Sequence, residues 1–263
     1  MRFLEYLRAR GEGKEEGVPF FLHEKTKCYD FCRTVGIPTV KVLRRFETPD
    51  DIDLGGLPDS FVIKPTWETT SKGVMVMTAT EYGYHDAMKG KLYTADEVVQ
   101  EQRRIYDAGR WRSKPTIVEE KIEDAGGHVI PEDYKAYAFQ GEIAFIVQIN
   151  RNADRTAVAW FDGNFDPLAV GRVQVNEKYM DLKEPVRPDD WKDMLNVAQR
   201  ASVAVPTPFA SIDMYASTRG PLVGEITLVP GGFYHGKYFF LSEQDDHSAG
   251  KMWENASARL GRS

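Results

Sequence analysis

An α+β fold in two lobes is what this sequence predicts, and three observations predict it. Short apolar strands alternate with helical patterns in the first half, and antiparallel strand pairs joined by tight turns dominate the second. At 263 residues the chain is long enough for one large or two small domains with a substantial core. Composition agrees, since 42% hydrophobic, 28% charged and 12% aromatic residues are the proportions of a folded chain. The formal net charge of −6 argues against nucleic acid or an anionic membrane as the main partner. No apolar run is long enough for membrane insertion, and residues 1–10 mix charged with apolar side chains, unlike a signal peptide. A cytoplasmic location is therefore the expectation.

Each element follows from local pattern. Residues 21–35 carry apolar side chains at 21, 22, 28, 31, 32 and 35, a helical rhythm that Gly36 and Pro38 end. Cys28 and Cys32 share one face of that helix and read as core rather than as a metal pair. A strand is expected over 39–43, an acidic loop over 50–59, and a buried strand over 61–64 that Pro65 stops. A second short strand is expected over 74–77. Between these two strands, residues 66–73 form a polar loop with hydroxyls and a glycine. Thr94 and Glu97 make a capping box that opens a helix running to about residue 108. Strands are expected over 116–122, over 134–139 and 142–150 joined at Gln140-Gly141, and over 157–161. Residues 188–205 read as a helix with Asp189 and Asp190 suited to its first turn. A last hairpin pairs 209–217 with 221–229. The expected division is a helical N-terminal segment (1–40), a small lobe (41–115) and a large lobe (116–263), with the lobe boundary near 114–118.

Three features point to chemistry. In the last hairpin, Thr218-Arg219-Gly220 fits a three-residue loop with glycine in its left-handed position. Centring that turn on Arg219 places Asp213 and Glu225, each six residues away, directly opposite one another, with Thr227 on the same face. Facing carboxylates destabilise a sheet unless a cation sits between them, so the pair is either a site for a hard cation such as Mg2+ or a solvated face. Second, Lys64 ends an apolar strand before the 66–73 loop. It is either a phosphate contact, with Ser71, Lys72 and Gly73 closing over the other phosphates, or a solvated cation. The spacing is that of neither a Walker A loop nor a dinucleotide fingerprint. Third, Lys135 is the one cation on an apolar strand, after Glu132-Asp133, and Arg151 and Arg155 follow the partner strand. These either surround an anionic group or belong to a surface ion-pair network.

In order along the chain, these pieces resemble the ATP-grasp superfamily. Lys25 precedes Gly36-Ile37-Pro38; Lys64 ends Phe61-Val62-Ile63-Lys64-Pro65; and a loop follows. Ile117-Val118-Glu119-Glu120-Lys121-Ile122 is similar to an adenine-binding hinge strand, and Asp213 and Glu225 fall where relatives hold Mg2+. Within the superfamily the likeness is to the TupA-like branch, through Asp133-Tyr134-Lys135, Ile212-Asp213-Met214-Tyr215, Gly224-Glu225-Ile226-Thr227, Pro230-Gly231-Gly232-Phe233 and residues 246–250. It spans about residues 25–250. The resemblance implies an ATP-grasp fold of two α+β lobes gripping ATP, with a reduced N-terminal region. It implies adenine at Glu119, Glu120, Lys121 and Ile122, Asp133 at the ribose, and phosphates on Lys25, Lys64 and Lys135. Mg2+ would be held by Asp213 and Glu225, with Thr227 alongside.

The implied reaction is ATP-dependent carboxylate–amine ligation through an acyl phosphate. Its partners would be a small carboxylic acid and an amine, and the alternatives are a phosphotransferase and a non-catalytic nucleotide-binding scaffold. Two departures stand out. Many relatives carry an arginine two residues before the aspartate, where this chain has Ser211, so either Arg151 or Arg155 fills that role or the enzyme is altered or impaired. About two dozen residues precede Lys25, so the acceptor site is expected to be built elsewhere in the chain or completed by a second copy or a partner protein.

Overall fold

The computed structural model describes residues 1–68, 71–109 and 115–262; Thr69 and Thr70 of the expected loop and Lys114 at the expected boundary lie outside the described residues. By contacts the chain divides into a larger unit (Met1–His23, Lys27–Thr39 and Asp124–Ser263) and a smaller one (Glu24–Thr26 and Val40–Glu123). The division near residue 123 falls later than the 115/116 boundary expected from sequence. The reason is that the strand beginning at Thr116 pairs with two strands of the smaller unit's sheet.

The chain opens with helix α1 (Phe3–Gly11), a 3-10 turn (Phe20–His23) and helix α2 (Lys25–Thr34). The single helical run expected over 21–35 is thus split. His23 accepts a hydrogen bond from the Leu228 amide at 3.0 Å, which ties the turn to the end of the last hairpin. Gly36, at φ +69°, ends α2, a conformation that costs glycine nothing.

The smaller unit contains β1 (Val42–Phe46), β2 (Ser60–Pro65), β3 (Met75–Thr80), β4 (Gly83–Asp86), β5 (Lys91–Tyr93), α3 (Ala95–Ala108) and β6 (Thr116–Glu120). Its sheet has the order β1-β6-β2-β3-β4-β5 and is antiparallel throughout. Phe61, Ile63, Met75, Met77 and Val118 from the strands pack with Val98 of α3 and with Leu54 and Tyr93. The Thr94–Glu97 capping box forms as the sequence predicts, with each side chain serving the other residue's amide. Strands β4 and β5 were not expected, because residues 83–92 alternate too little in polarity to signal a strand.

The larger unit continues with β7 (Asp133–Phe139), β8 (Glu142–Asn150), β9 (Ala157–Asp162), β10 (Val173–Val175), β11 (Asp181–Leu182), α4 (Trp191–Ala204), β12 (Ala210–Ser217), β13 (Gly220–Thr227), α5 (Gly231–Tyr234), β14 (Phe239–Leu241) and α6 (Glu243–Arg259). Its main sheet runs β11-β9-β8-β7-β12-β13, while β10 and β14 form a separate pair. One face buries Ala136, Ile212, Met214, Val223 and Ile226 with Ala198 and Ala201 of α4 and with Cys28 and Cys32 of α2. Both cysteines are free and buried, as the sequence reading had them. On the other face Tyr137, Phe139, Phe145 and Val147 pack with Phe3 and Leu7 of α1, Phe233 and Trp253. No helix among the described residues is long and apolar enough to cross a membrane.

Arg10 clamps the open end of the last hairpin. Fully buried, it donates to the Phe209 carbonyl before β12 (2.8 Å), the Leu228 carbonyl after β13 (3.1 Å) and the Thr207 hydroxyl (2.7 Å). It pairs with Glu15 at 2.7 Å and lies 4.2 Å over the Trp253 ring. Replacing it leaves a half-buried carboxylate and two buried carbonyls short of a partner. Arg10→Met is therefore expected to cost about 3 kcal/mol in urea unfolding, and an unchanged midpoint would contradict the clamp.

Candidate functional site

In the smaller unit the apolar alternation of β2 brings Lys64 to the end of the strand, almost fully buried, where its Nζ lies 2.7 Å from Glu119 of the adjacent β6. Lys25 is the first residue of α2. Its amide donates to the Thr66 carbonyl (3.2 Å), and its ammonium donates to the Glu68 carbonyl (2.9 Å) and lies 3.5 Å from that of Thr66. The beginning of the 66–73 loop is thus held by Lys25, and Lys72 reaches back to Glu68 at 3.5 Å. Its end is held by α3, where the Gln102 amide donates to the Gly73 carbonyl at 2.8 Å. Ser71 (φ +60°) and Gly73 (φ +75°) both take the left-handed conformation, and a Cβ on Gly73 would sit 2.8 Å from the Pro65 ring. Only glycine fits that approach without displacing its neighbours. After Glu119, Glu120 accepts from the Lys41 amide at 3.0 Å while its own amide donates to the Lys41 carbonyl, Lys121 is half-buried and Ile122 is buried.

In the larger unit, Asp213 on β12 faces Glu225 on β13, as the hairpin argument predicts, though the turn is not the one expected. Ser217 pairs with Gly220, so the loop holds only Thr218 and Arg219. Between Asp213 and Met214 the ladder slips by one, and Gly224 is the extra residue. The shorter turn and the bulge cancel, which leaves Glu225 opposite Asp213 and Thr227 opposite Ser211. Glu225 and Thr227 are half-exposed, alternating with buried Ile226 and Leu228.

β7 completes the row, with Lys135 directly opposite Asp213. Its ammonium contacts Asp213 Oδ2 and lies 2.9 Å from Asp133 Oδ2, which Arg151 also approaches at 3.3 Å. The Ser211 hydroxyl donates to Asp213 Oδ1 at 3.0 Å, while Asp133 Oδ1 is buried without a hydrogen-bond partner. Burial pushes the Asp213 carboxyl up to about 7; Lys135 opposes that rise, and Asp133 and Glu225 add to it. Burial works against the Lys135 ammonium, but the three carboxylates outweigh it and hold its pKa above the ordinary lysine value. Asp133 is desolvated too, yet Lys135 and Arg151 keep its carboxyl below the usual range.

The structure therefore brings together Lys135, Asp133, Asp213, Glu225, Thr227 and Arg151 on one unit, and Lys25, Lys64, Ser71, Lys72, Gly73 and Glu119 to Ile122 on the other. Arg155 is not brought to the carboxylates. It pairs with Asp181 of β11 at 3.0 Å, at the opposite edge of the sheet and four strand spacings, ~19 Å, from β12. Among the described residues no group of three or more His, Cys, Asp or Glu is arranged to hold a metal ion. Sequence reading missed Ser211 as a bond donor to Asp213 and Gln102 as the anchor of Gly73. The Gln102 contact joins residues brought together by tertiary packing, whereas Ser211 and Asp213 lie two apart on one face of β12, a spacing the sequence does carry.

Comparison with known proteins agrees with this architecture. The family model for TupA-like ATP-grasp proteins matches residues 13–252. Among solved structures, D-alanine–D-alanine ligase from Bacillus anthracis in complex with ATP superposes with a TM-score of 0.54 at 15% identity, covering 91% of this chain and 67% of that one. The D-cycloserine synthetase DcsG gives 0.52 at 16% identity, covering 89% and 70%. The L-amino acid ligase from Bacillus licheniformis gives 0.51 at 15%, covering 88% of this chain but half of that one. No curated protein matches the sequence. At these identities the likeness is one of fold, the ATP-grasp fold. By the match over most of its length, this chain belongs to the TupA-like ATP-grasp family.

Proposed function

We propose that this protein is an ATP- and Mg2+-dependent ligase that joins a carboxylic acid to an amine through an acyl phosphate. The observation that carries the reading is the row Lys135–Asp213–Glu225, in register on three neighbouring strands of a chain of this family. The donors of Asp213 and Glu225 suit the metal, since they are hard carboxylate oxygens gathered around a positive charge. Asp213 and Glu225 would hold Mg2+, which when bound would neutralise phosphate charge.

The protein groups supply binding and orientation. Lys64 and Lys25 offer ammonium groups to phosphate oxygens, and Ser71 to Gly73 offer loop amides beside them. Glu119 to Ile122 offer hinge-strand peptide groups to adenine, and Asp133 offers a carboxylate to the ribose. Lys135 and Arg151 place positive charge where the acyl phosphate forms. The reaction then needs positioning and charge neutralisation rather than a protein nucleophile. The acid and amine are small molecules, and the acceptor side is completed within the chain, by a second copy or by another protein.

The test is ATP binding by calorimetry, with and without Mg2+, on the unaltered protein and on Glu225→Gln. Mg2+-dependent binding that the substitution weakens at least about tenfold is the expected result. No ATP binding by the unaltered protein would sink the reading. Phosphate release that requires both an acid and an amine identifies the ligase, whereas a stable phosphorylated product identifies a phosphotransferase.

A further inference from the structure

We propose that Tyr29 is a positioning residue for Glu225: by holding the Gly224 carbonyl it fixes the one-residue bulge that turns Glu225 onto the face of Asp213. The inference rests on the proposed Mg2+·ATP site and concerns how that site is assembled.

The two-residue turn sets the register of the hairpin from Ser217↔Gly220 back to Met214↔Val223. Continued without interruption, that register would set Asp213 opposite Gly224 and Glu225 opposite Ile212. A one-residue shift moves every following side chain to the other face. Ile212 points into the core with Met214, Val223 and Ile226, so Glu225 would enter an apolar interior and the carboxylate pair would not exist. The extra residue at Gly224 prevents this. Asp213↔Glu225 and everything beyond it exist only on the far side of the bulge.

The features that hold the bulge are specific. A Cβ on Gly224 would lie 2.5 Å from the Tyr215 ring, so the position excludes other residues unless that ring moves. β13 is the edge strand, and the extra residue of a bulge leaves the ladder locally unpaired. The phenol of Tyr29, fully buried on α2, donates to the Gly224 carbonyl at 3.0 Å. One residue away, the Val223 amide donates to the Pro38 carbonyl at 2.9 Å, and Thr39 bridges to Val223. The bulge is therefore gripped from outside the sheet, and the register in which Glu225 faces the core would forfeit the Tyr29 bond. Through this bond Tyr29 acts on the backbone one residue before Glu225.

The experiment is a double-mutant cycle on Mg2+-dependent ATP binding, measured by calorimetry on the unaltered protein, Tyr29→Phe, Glu225→Gln and the double variant. Tyr29→Phe is expected to weaken Mg2+-dependent binding about fivefold to tenfold, leave Mg2+-free binding unchanged, and add nothing once Glu225 is Gln. A merely structural tyrosine would lower the melting temperature and act equally in both backgrounds, which would overturn the proposal. So would a crystal structure of Tyr29→Phe with the bulge intact and Mg2+ affinity unaltered. If Glu225→Gln itself changes nothing, the metal reading fails first and this inference falls with it; if Glu225→Gln weakens binding and Tyr29→Phe does not, only the role of Tyr29 is lost.

Discussion

Lys64→Met is expected to abolish tight ATP binding and to destabilise the smaller unit, and the two effects can be separated. Lys64 and Glu119 are an ion pair 2.7 Å apart with side chains 8% and 3% exposed. Removing the ammonium from such a pair leaves a buried carboxylate without it, a loss of about 3–5 kcal/mol. Adding Glu119→Leu removes the stranded charge, so Lys64→Met/Glu119→Leu should regain most of the stability, as apolar replacements of buried pairs commonly do. It should not regain ATP. A charge-assisted bond to a phosphate is worth about 2–3 kcal/mol, so affinity is expected to fall roughly 30- to 140-fold in both variants. Urea unfolding and calorimetry on the two proteins suffice. A double variant that is stable and binds ATP as tightly as the unaltered chain would show that Lys64 serves the fold alone.

Much of this arrangement was legible in the sequence wherever the determinant was local. The capping box at Thr94, the tight turn at Gln140-Gly141 and the alternation of β2, β7 and β8 each fix an element through neighbours in the chain, and each element forms where it was expected. The facing of Asp213 and Glu225 was also predicted, but by a compensation: a turn one residue too long stood in for a bulge at Gly224 that no local pattern announces. Contacts made by pairing distant strands were not legible. Lys135 meets Asp213 because β7 lies beside β12, some seventy residues later, and no turn sets that register. The same limit explains why Arg151 and Arg155, four residues apart, were equivalent as candidates. Only the strand order separates them, since Arg151 follows a residue of β8 next to Asp133 whereas Arg155 is drawn to Asp181 on β11. The boundary near 115 fell early for a related reason, because β6 reads as the start of a new run in sequence but completes the preceding sheet in space.

Lys135→Met should convert the carboxylate row from a self-neutralised cluster into one that demands a divalent cation. Asp133, Asp213 and Glu225 would then face one another without the ammonium that contacts Asp213 and Asp133. Asp213 is already held at about 7, and losing Lys135, which pulls it down, must raise it further. An aspartate near 3.9 in the unfolded chain and above 7 in the folded one takes up a proton on folding between those values. Its contribution is therefore fully present at acid pH and is lost as pH rises through the folded value. The variant should lie below the unaltered protein already at pH 6, because buried Asp133 loses one of its two cations, and fall further behind by several degrees or more in melting temperature at pH 8.5. Mg2+ should reverse that loss at pH 8.5, raising the variant's melting temperature more than the unaltered protein's, because the cation replaces the missing positive charge. Turnover should not return with it, since the ammonium that would face the acyl phosphate is absent. If the melting temperature of the variant is independent of both pH and Mg2+, the three carboxylates do not act as one cation-binding group. The row on β7, β12 and β13 would then be an ordinary buried ion-pair network.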